Sequence, residues 1–323
     1  MTNEWVIIAP ERSKRPSDFI HEEAIKETSE ANDPFALSGD HYKHTRIKGY
    51  ETDHIYVIRN KYPVFIEDDA KVSPRTFRLE DGFYGARPST GGHDVVVIKD
   101  AKKNVYTLSR QEWYELFSIT KKRFLHWKKN EAAEHAMLIY NNGANAGASL
   151  THPHAQIFVA NIIPNQIVRE MAGAEQYFIN NGKNVFEDLI YHEKKEKERV
   201  IAENDEFIAF ACYAARFPFE TWVIPKEQCA HFEDERETYI HSLGQIMEDV
   251  LTRFGRVLKQ PALNFYLHDL PSSVSESDYF RWHIEITPRL GTYGGYELGS
   301  GVVVNTMSPE KAADYLRKSR RTA

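Results

Sequence analysis

Ser149-Leu150-Thr151-His152-Pro153-His154-Ala155-Gln156-Ile157 is the stretch on which the reading of this chain turns. Side chains alternate along a strand, so His152, His154 and Gln156 share one face, and a phosphate approaching His154 would also meet the Gln156 amide. The run just before it, Asn141-Asn142-Gly143-Ala144-Asn145-Ala146-Gly147-Ala148-Ser149, is small and glycine-bearing. Its backbone can come close to phosphate oxygens, with Asn141 and Ser149 as side-chain donors. Imidazole attacks phosphorus without a metal-activated water, and the phosphoramidate it forms can pass its phosphoryl group onward. His154 is therefore the candidate nucleophile, with Gln156 and Ser149 beside it.

Outward from this centre, short β-rich runs recur at 5–8, 55–58, 94–98, 136–140, 156–159, 207–212, 221–224, 263–267, 282–286 and 301–304. Helical apolar stripes lie at 110–128 and 235–258, and a last helix starts at Pro309 after the cap Ser308. Strands in runs with a few long helices predict an α+β fold. The two halves echo each other, 53–160 against 205–290, so that Arg281-Trp282-His283-Ile284-Glu285-Ile286 falls where His152 to Ile157 falls in the first half. This points to a duplication with the chemistry kept in one copy, and to two domains, 1–190 and 191–323.

Composition narrows the partners. A chain of 323 residues with 41% hydrophobic content can bury two cores, and a net charge of −6 offers no global field for nucleic acid. Any bound anion must be held by a few local cations. The mixed-sign run 193–199 reads as a solvated helix face or loop. Cys212 and Cys229 form no disulfide framework or CxxC pair, the N-terminus has no export signal, and no window approaches about 18 apolar residues. The expectation is a cytoplasmic protein with small-molecule partners, no nucleic acid and no membrane.

The chain resembles the galactose-1-phosphate uridylyltransferases of the histidine-triad superfamily along nearly its whole length. Trp5 to Pro16 is similar to the family's amino-terminal signature, Asn60-Lys61-Tyr62-Pro63 to its nucleotide-side turn, and Gly147 to Gln156 to its active-site motif. Arg216-Phe217-Pro218-Phe219-Glu220 matches a second-half signature, and Gly295-Tyr296-Glu297-Leu298-Gly299-Ser300-Gly301 the sugar-side loop. The resemblance implies two tandem histidine-triad-like domains, each an antiparallel sheet with packed helices. It also implies a ping-pong exchange of uridylate between UDP-glucose and a hexose 1-phosphate through His154. Ser149 and Gln156 would hold the transferred phosphoryl group, Asn60, Asn141 and His152 would lie by the nucleotide, Arg12 and Arg15 would face phosphate, and Tyr296 and Glu297 would contact the hexose. One arginine of the first run reaches a neighbouring site in the family, so a homodimer with shared active sites is implied.

Two departures qualify the carry-over. The family's CxxC zinc site falls here on Asp33, Ala36 and Lys102, with only His152 kept, so that zinc site is expected to be absent and His152 to orient the loop or hydrogen-bond near the nucleophile. Glu170, His268, His283 and Glu285 occupy the second metal site, with glutamate in the last position, and read either as ligands for one structural zinc or iron ion or as buried polar groups paired with each other. The Gly-Ser-Gly-Val-Val-Val-Asn run, residues 299–305, also resembles the branch of nucleoside-diphosphate-sugar phosphorylases, which use phosphate as acceptor. Phosphorolysis of ADP-glucose or a related sugar nucleotide thus stands as the alternative activity, and a catalytically silent nucleotide-binding protein as the alternative class.

Overall fold

Apolar side chains alternate along the strand that His154 opens, while its neighbour on one side, Gly91–Ile98, is buried along its whole length. In chain order the strands are β1 (Val6–Ile8), β2 (Arg46–Glu51), β3 (Ile55–Arg59), β4 (Arg78–Glu80), β5 (Tyr84–Ala86), β6 (Gly91–Ile98), β7 (His135–Asn142), β8 (His154–Ala160), β9 (Val200–Glu203), β10 (Phe207–Ala211), β11 (Thr221–Pro225), β12 (Leu263–His268), β13 (His283–Pro288) and β14 (Val303–Asn305). The helices are α1 (Asp40–Thr45), α2 (Arg110–Trp127), α3 (Asn165–Asn181), α4 (Val185–Glu196), α5 (Glu237–Leu258), α6 (Gly295–Ser300) and α7 (Pro309–Lys318). This computed structural model describes residues 4–10, 33–37, 39–67, 78–80, 84–86, 88–130 and 133–319; Arg12 and Arg15 lie outside them.

Ten strands form one antiparallel sheet in the order β2-β3-β6-β8-β7-β12-β13-β11-β10-β9. The order is a palindrome of the duplication: β8 answers β13, β6 answers β11, β3 answers β10, and the halves join edge to edge where β7 pairs with β12. The fold is α+β with two histidine-triad-like halves, as the sequence predicted. A separate parallel pair, β1 with β14, ties the first described residues to the last quarter of the chain.

One face of the sheet carries the core. Ala155, Ile157 and Val159 of β8 are fully buried there, with Val96 and Ile98 of β6 and Leu138 and Tyr140 of β7. Burying an aliphatic side chain of this size contributes about 1.5–3 kcal/mol. Helix α2 covers them. It starts at a capping box in which the Ser109 side chain accepts from the Glu112 amide and the Glu112 side chain accepts from the Ser109 amide. It presents Trp113, Leu116, Phe117 and Phe124 to the sheet and packs against its counterpart α5. At their crossing a Cβ on Gly244 would stand only 3.0 Å from the Arg110 carbonyl oxygen, so glycine is what lets the two helices approach.

The other face differs between the halves, and this difference positions the site. The registers Val95↔Gln156, Gln156↔Ile139, Ile139↔Tyr266, Tyr266↔Glu285 and Glu285↔Trp222 run as one row across the sheet on that face. Over the second half, α3 and α4 pack Ala174, Phe186 and Ile190 onto Ile208, Phe210 and Ile224. The boundary expected near residue 190 falls inside α4, whose apolar side belongs with the second-half strands. Over the first half, Phe35 and Tyr42 cover Tyr56, Ile58, Val95 and Val97, and Gln156 is only half-buried.

Candidate functional site

His154 opens β8 on the face away from α2. Its Nδ1–H donates to the carbonyl oxygen of His152 at 2.8 Å, which leaves the lone pair on Nε2, and no described residue engages that nitrogen. The ring is 7% exposed, and burial lowers its pKa from 6.5, partly against the His152 carbonyl contact. A buried neutral imidazole with one free nitrogen can act as a nucleophile. Phe35 stands edge-on to it, with ring centroids 5.0 Å apart.

The groups expected around it are partly assembled. Gln156, two residues on, points to the same face, and its Oε1 lies 2.8 Å from His93 Nε2. Continuing the β7–β8 register places Asn141 opposite His154. Asn264 of the second half donates from Nδ2 to Asn141 Oδ1 at 2.7 Å and to the Ala146 carbonyl at 2.8 Å. One side chain thus pins both Asn141 and the small-residue loop, and leaves the Asn141 amide hydrogens for a ligand. Gly143 and Gly147 sit at φ +87° and +81°, where a Cβ would be strained. Ser149 is exposed at the end of that loop, and Asn60 follows β3 with Oδ1 accepting from the Tyr62 amide at 2.8 Å.

His152 is engaged on both ring nitrogens. Its Nδ1 meets Asp33 Oδ2 at 2.6 Å and its Nε2 meets the Ile98 carbonyl at 2.6 Å, so neither nitrogen is left for a substrate. It anchors the backbone carbonyl that holds the His154 proton. Ala36 offers no ligand atom, so Asp33 and His152 fall short of the four ligands that a closed zinc site takes.

The second-half counterpart keeps the geometry and loses the access. His283 Nδ1 donates to the Arg281 carbonyl at 3.1 Å, but its ring is 0% exposed and its Nε2 is a buried atom without a partner. Glu285 Oε1 is a second such orphan. Glu170 reaches in from α3, with Oε2 2.9 Å from His268 Nδ1 and 3.9 Å from His283 Nε2. The four ligand atoms lie within 4.8 Å of one another. Two imidazoles, two carboxylates and two orphaned atoms aimed inward fit a zinc or iron ion. Burial alone would raise the Glu285 pKa, but Arg216, bonded to its other oxygen, and His268 hold it well below the usual carboxylate range. A further buried group, His231, Glu233 and Asp269, already has its cation: Lys128 Nζ is 2.9 Å from Glu233 Oε1.

Among the described residues neither Tyr296 nor Glu297 has a hydrogen bond or ring contact with His154. Glu297 Oε2 accepts from the Gly294 amide at 2.9 Å and caps α6, while Tyr296 is exposed. The approach to α6 rests on the second half, where Tyr293 stacks on Phe217 with centroids 5.2 Å apart. A cavity of about 590 Å³ lies far from this chemistry, beside the edge strand β9, and Lys194 and Arg253 on its lining are already paired with Glu203 and Asp249. Among the described residues no helix is long and apolar enough to cross a membrane.

Comparison with known proteins matches residues 50–322 to the family model described as a domain of unknown function, DUF4921. An ADP-glucose phosphorylase of Arabidopsis thaliana is 29% identical over 326 residues, covering 98% of this chain and 91% of that protein. A galactose-1-phosphate uridylyltransferase of Haemophilus influenzae is 23% identical over 327 residues, covering 98% and 92%. The crystal structure of an ADP-glucose phosphorylase from Arabidopsis thaliana with bound ADP-glucose superposes with a TM-score of 0.82 at 26% identity, over 100% of this chain and 97% of that one.

Proposed function

The chain belongs to the DUF4921 family of galactose-1-phosphate uridylyltransferase-like proteins, and from that premise we propose that it transfers a nucleoside monophosphate from a nucleoside-diphosphate hexose through a covalent nucleotidyl-His154. The observation that carries this reading is the His154 tautomer: with Nδ1–H held by the His152 carbonyl at 2.8 Å, Nε2 is the nitrogen left to attack. In the first step Nε2 bonds to the α-phosphorus and the bond to the bridging oxygen breaks, so hexose 1-phosphate leaves with the electron pair. In the second step an acceptor phosphate oxygen attacks the same phosphorus and Nε2 departs. The amides of Gln156 and Asn141 and the Ser149 hydroxyl would stabilise the charge spread over the phosphoryl oxygens.

Two donor–acceptor pairs fit this chemistry. One is UDP-glucose with hexose 1-phosphate. The other is ADP-glucose with inorganic phosphate, favoured by the greater identity to the ADP-glucose phosphorylase, 29% against 23%. A zinc or iron ion on Glu170, His268, His283 and Glu285 belongs to the proposal as a structural group that would cross-link α3 to the sheet. A homodimer with shared active sites belongs to it as well, as the family resemblance implies.

The test is chemical. Enzyme mixed with UDP-glucose or ADP-glucose labelled in the α-phosphate, then denatured in alkali, where phosphoramidates survive, should carry label on His154. Chasing with phosphate or with galactose 1-phosphate identifies the acceptor. A chain that turns over either sugar nucleotide without ever carrying label would overturn the covalent route.

A further inference from the structure

His93 was not among the residues singled out in the sequence, yet its ring is engaged on both nitrogens, one of them by Gln156. It lies on β6, opposite Phe158 of β8 and diagonal to Gln156, on the uncovered face. The side chain is 6% exposed and is held against Phe158, with ring centroids 4.0 Å apart and planes at 32°. Burial lowers its pKa, which keeps the ring neutral.

A neutral imidazole carries one proton, and the neighbours decide where it sits. The backbone amide of Val64 donates to His93 Nδ1 at 3.2 Å, so Nδ1 holds the lone pair and Nε2 holds the hydrogen. Two side-chain atoms stand near Nε2: Gln156 Oε1 at 2.8 Å and Asn60 Nδ2 at 3.0 Å. Asn60 cannot turn its oxygen inward, because that oxygen already accepts from the Tyr62 amide at 2.8 Å. The Nε2 hydrogen therefore goes to Gln156 Oε1. That fixes which end of Gln156 faces inward, and its NH₂ is left on the side of the His154 phosphate path with no acceptor among the described residues.

Resting on the nucleotidyl-transfer reading above, we propose that His93 is a positioning residue: it reads the Val64 backbone amide and orients the Gln156 amide so that hydrogen-bond donors, rather than the carbonyl oxygen, meet the transferring phosphoryl group. A reversed Gln156 would present an oxygen to phosphate oxygens, so the effect falls on the transition state, where the negative charge is spread over those oxygens. Asn60, whose NH₂ cannot donate to a protonated Nε2, keeps its own amide hydrogens for the substrate.

The experiment is a double-mutant cycle on the full chain, read as the single-turnover rate of label transfer from α-labelled ADP-glucose or UDP-glucose to the enzyme. His93→Phe keeps the ring against Phe158 and removes both nitrogens; it should slow transfer about tenfold or more at saturating sugar nucleotide while leaving the half-saturation concentration within about twofold. In a Gln156→Ala background the same change should have almost no further effect, because the group it orients is gone. His93→Gln, which can place a donor where Nε2 stood, should recover much of the rate, and His93→Leu serves the same cycle if the Phe variant does not fold. Losses that multiply in the double variant, or a His93→Phe enzyme at full rate beside an impaired Gln156→Ala, would overturn the role of His93 alone. A Gln156→Ala enzyme at full rate would remove Gln156 from the chemistry and His93 with it.

Discussion

His154 and His283 make the same hydrogen bond: each Nδ1 donates to the carbonyl oxygen two residues upstream, His152 at 2.8 Å and Arg281 at 3.1 Å. Each ring therefore keeps a bare Nε2, that of His154 with no partner among the described residues and that of His283 beside Glu170 and Glu285. The two should separate under substitution. His154→Ala should lower covalent labelling by about 10³-fold or more with an unchanged melting temperature. His283→Ala should keep labelling within a few-fold and destabilise the fold by about 2–4 kcal/mol in denaturant titration. Labelling that survives His154→Ala would point to a different nucleophile.

The protonation state of His154 sets the acid side of the pH profile. Burial lowers its pKa below 6.5, so the neutral, attacking form persists to more acid pH than an exposed histidine would allow. Single-turnover labelling, measured from pH 5 to 8, should therefore hold its rate through about pH 6.5 and fall only below it. An acid limb centred above that value would mean the ring is not held in the desolvated setting seen here.

Asp33 is joined to the nucleophile through one residue. Its carboxylate meets His152 Nδ1 at 2.6 Å, both side chains are buried, and the His152 carbonyl holds the His154 proton. Removing one member of a buried pair typically costs about 3–5 kcal/mol. Asp33→Ala should destabilise by an amount near the lower end of that range and slow labelling as His152 loses its anchor. An Asp33→Ala enzyme with wild-type melting and wild-type labelling would show that the pair does not support the site.

The strands were legible as short β-rich runs, β6 and β13 among them buried along their whole length, and the duplication because His154 and His283 each open such a run. Helices α3 and α4 were not. α3 follows Pro164 with no side-chain cap, and only Ile167, Glu170 and Ala174 of its 17 residues are buried, so its apolar stripe is thin. α4 ends in the mixed-charge run that reads equally well as loop. The sequence could place Glu170 in the metal set only through resemblance, since nothing local ties it to His268, 98 residues away. The partner that fixes His152 was hidden for the same reason, Asp33 lying 119 residues upstream. His93 left one faint signal, a histidine in a valine-rich strand two residues before Val95, the partner of Gln156.

The metal set predicts a stoichiometry. Glu170, His268, His283 and Glu285 offer one closed group of ligands, whereas Asp33 and His152 are spent on each other. Elemental analysis of the purified protein should find at most one zinc or iron per chain. Chelation should lower the melting temperature by several degrees while changing the labelling rate by less than about twofold, since the ligands sit in the covered half. Two tightly held ions per chain would contradict the assignment of Asp33 and His152.

A site shared between subunits, as the family resemblance implies, predicts complementation between them. Glu297 caps α6, and the approach to α6 rests on Phe217 of the second half, while His154 lies buried beside Phe35 over the first. If each site takes His154 from one chain and Glu297 from its partner, His154→Ala and Glu297→Ala homodimers should each be weak. After subunit exchange about half of the dimers would be hybrids, and each hybrid would carry one site with both groups intact and one with neither. The mixture should then recover about one quarter of wild-type turnover. Glu297→Gln should keep the first transfer and raise the concentration of hexose 1-phosphate needed in the reverse direction by about 5–30-fold, the loss of about 1–2 kcal/mol in hydrogen bonds to sugar hydroxyls. A fully active monomer, or a mixture no more active than its parents, would place the whole site within one chain and require α6 to close over His154 from its own second half.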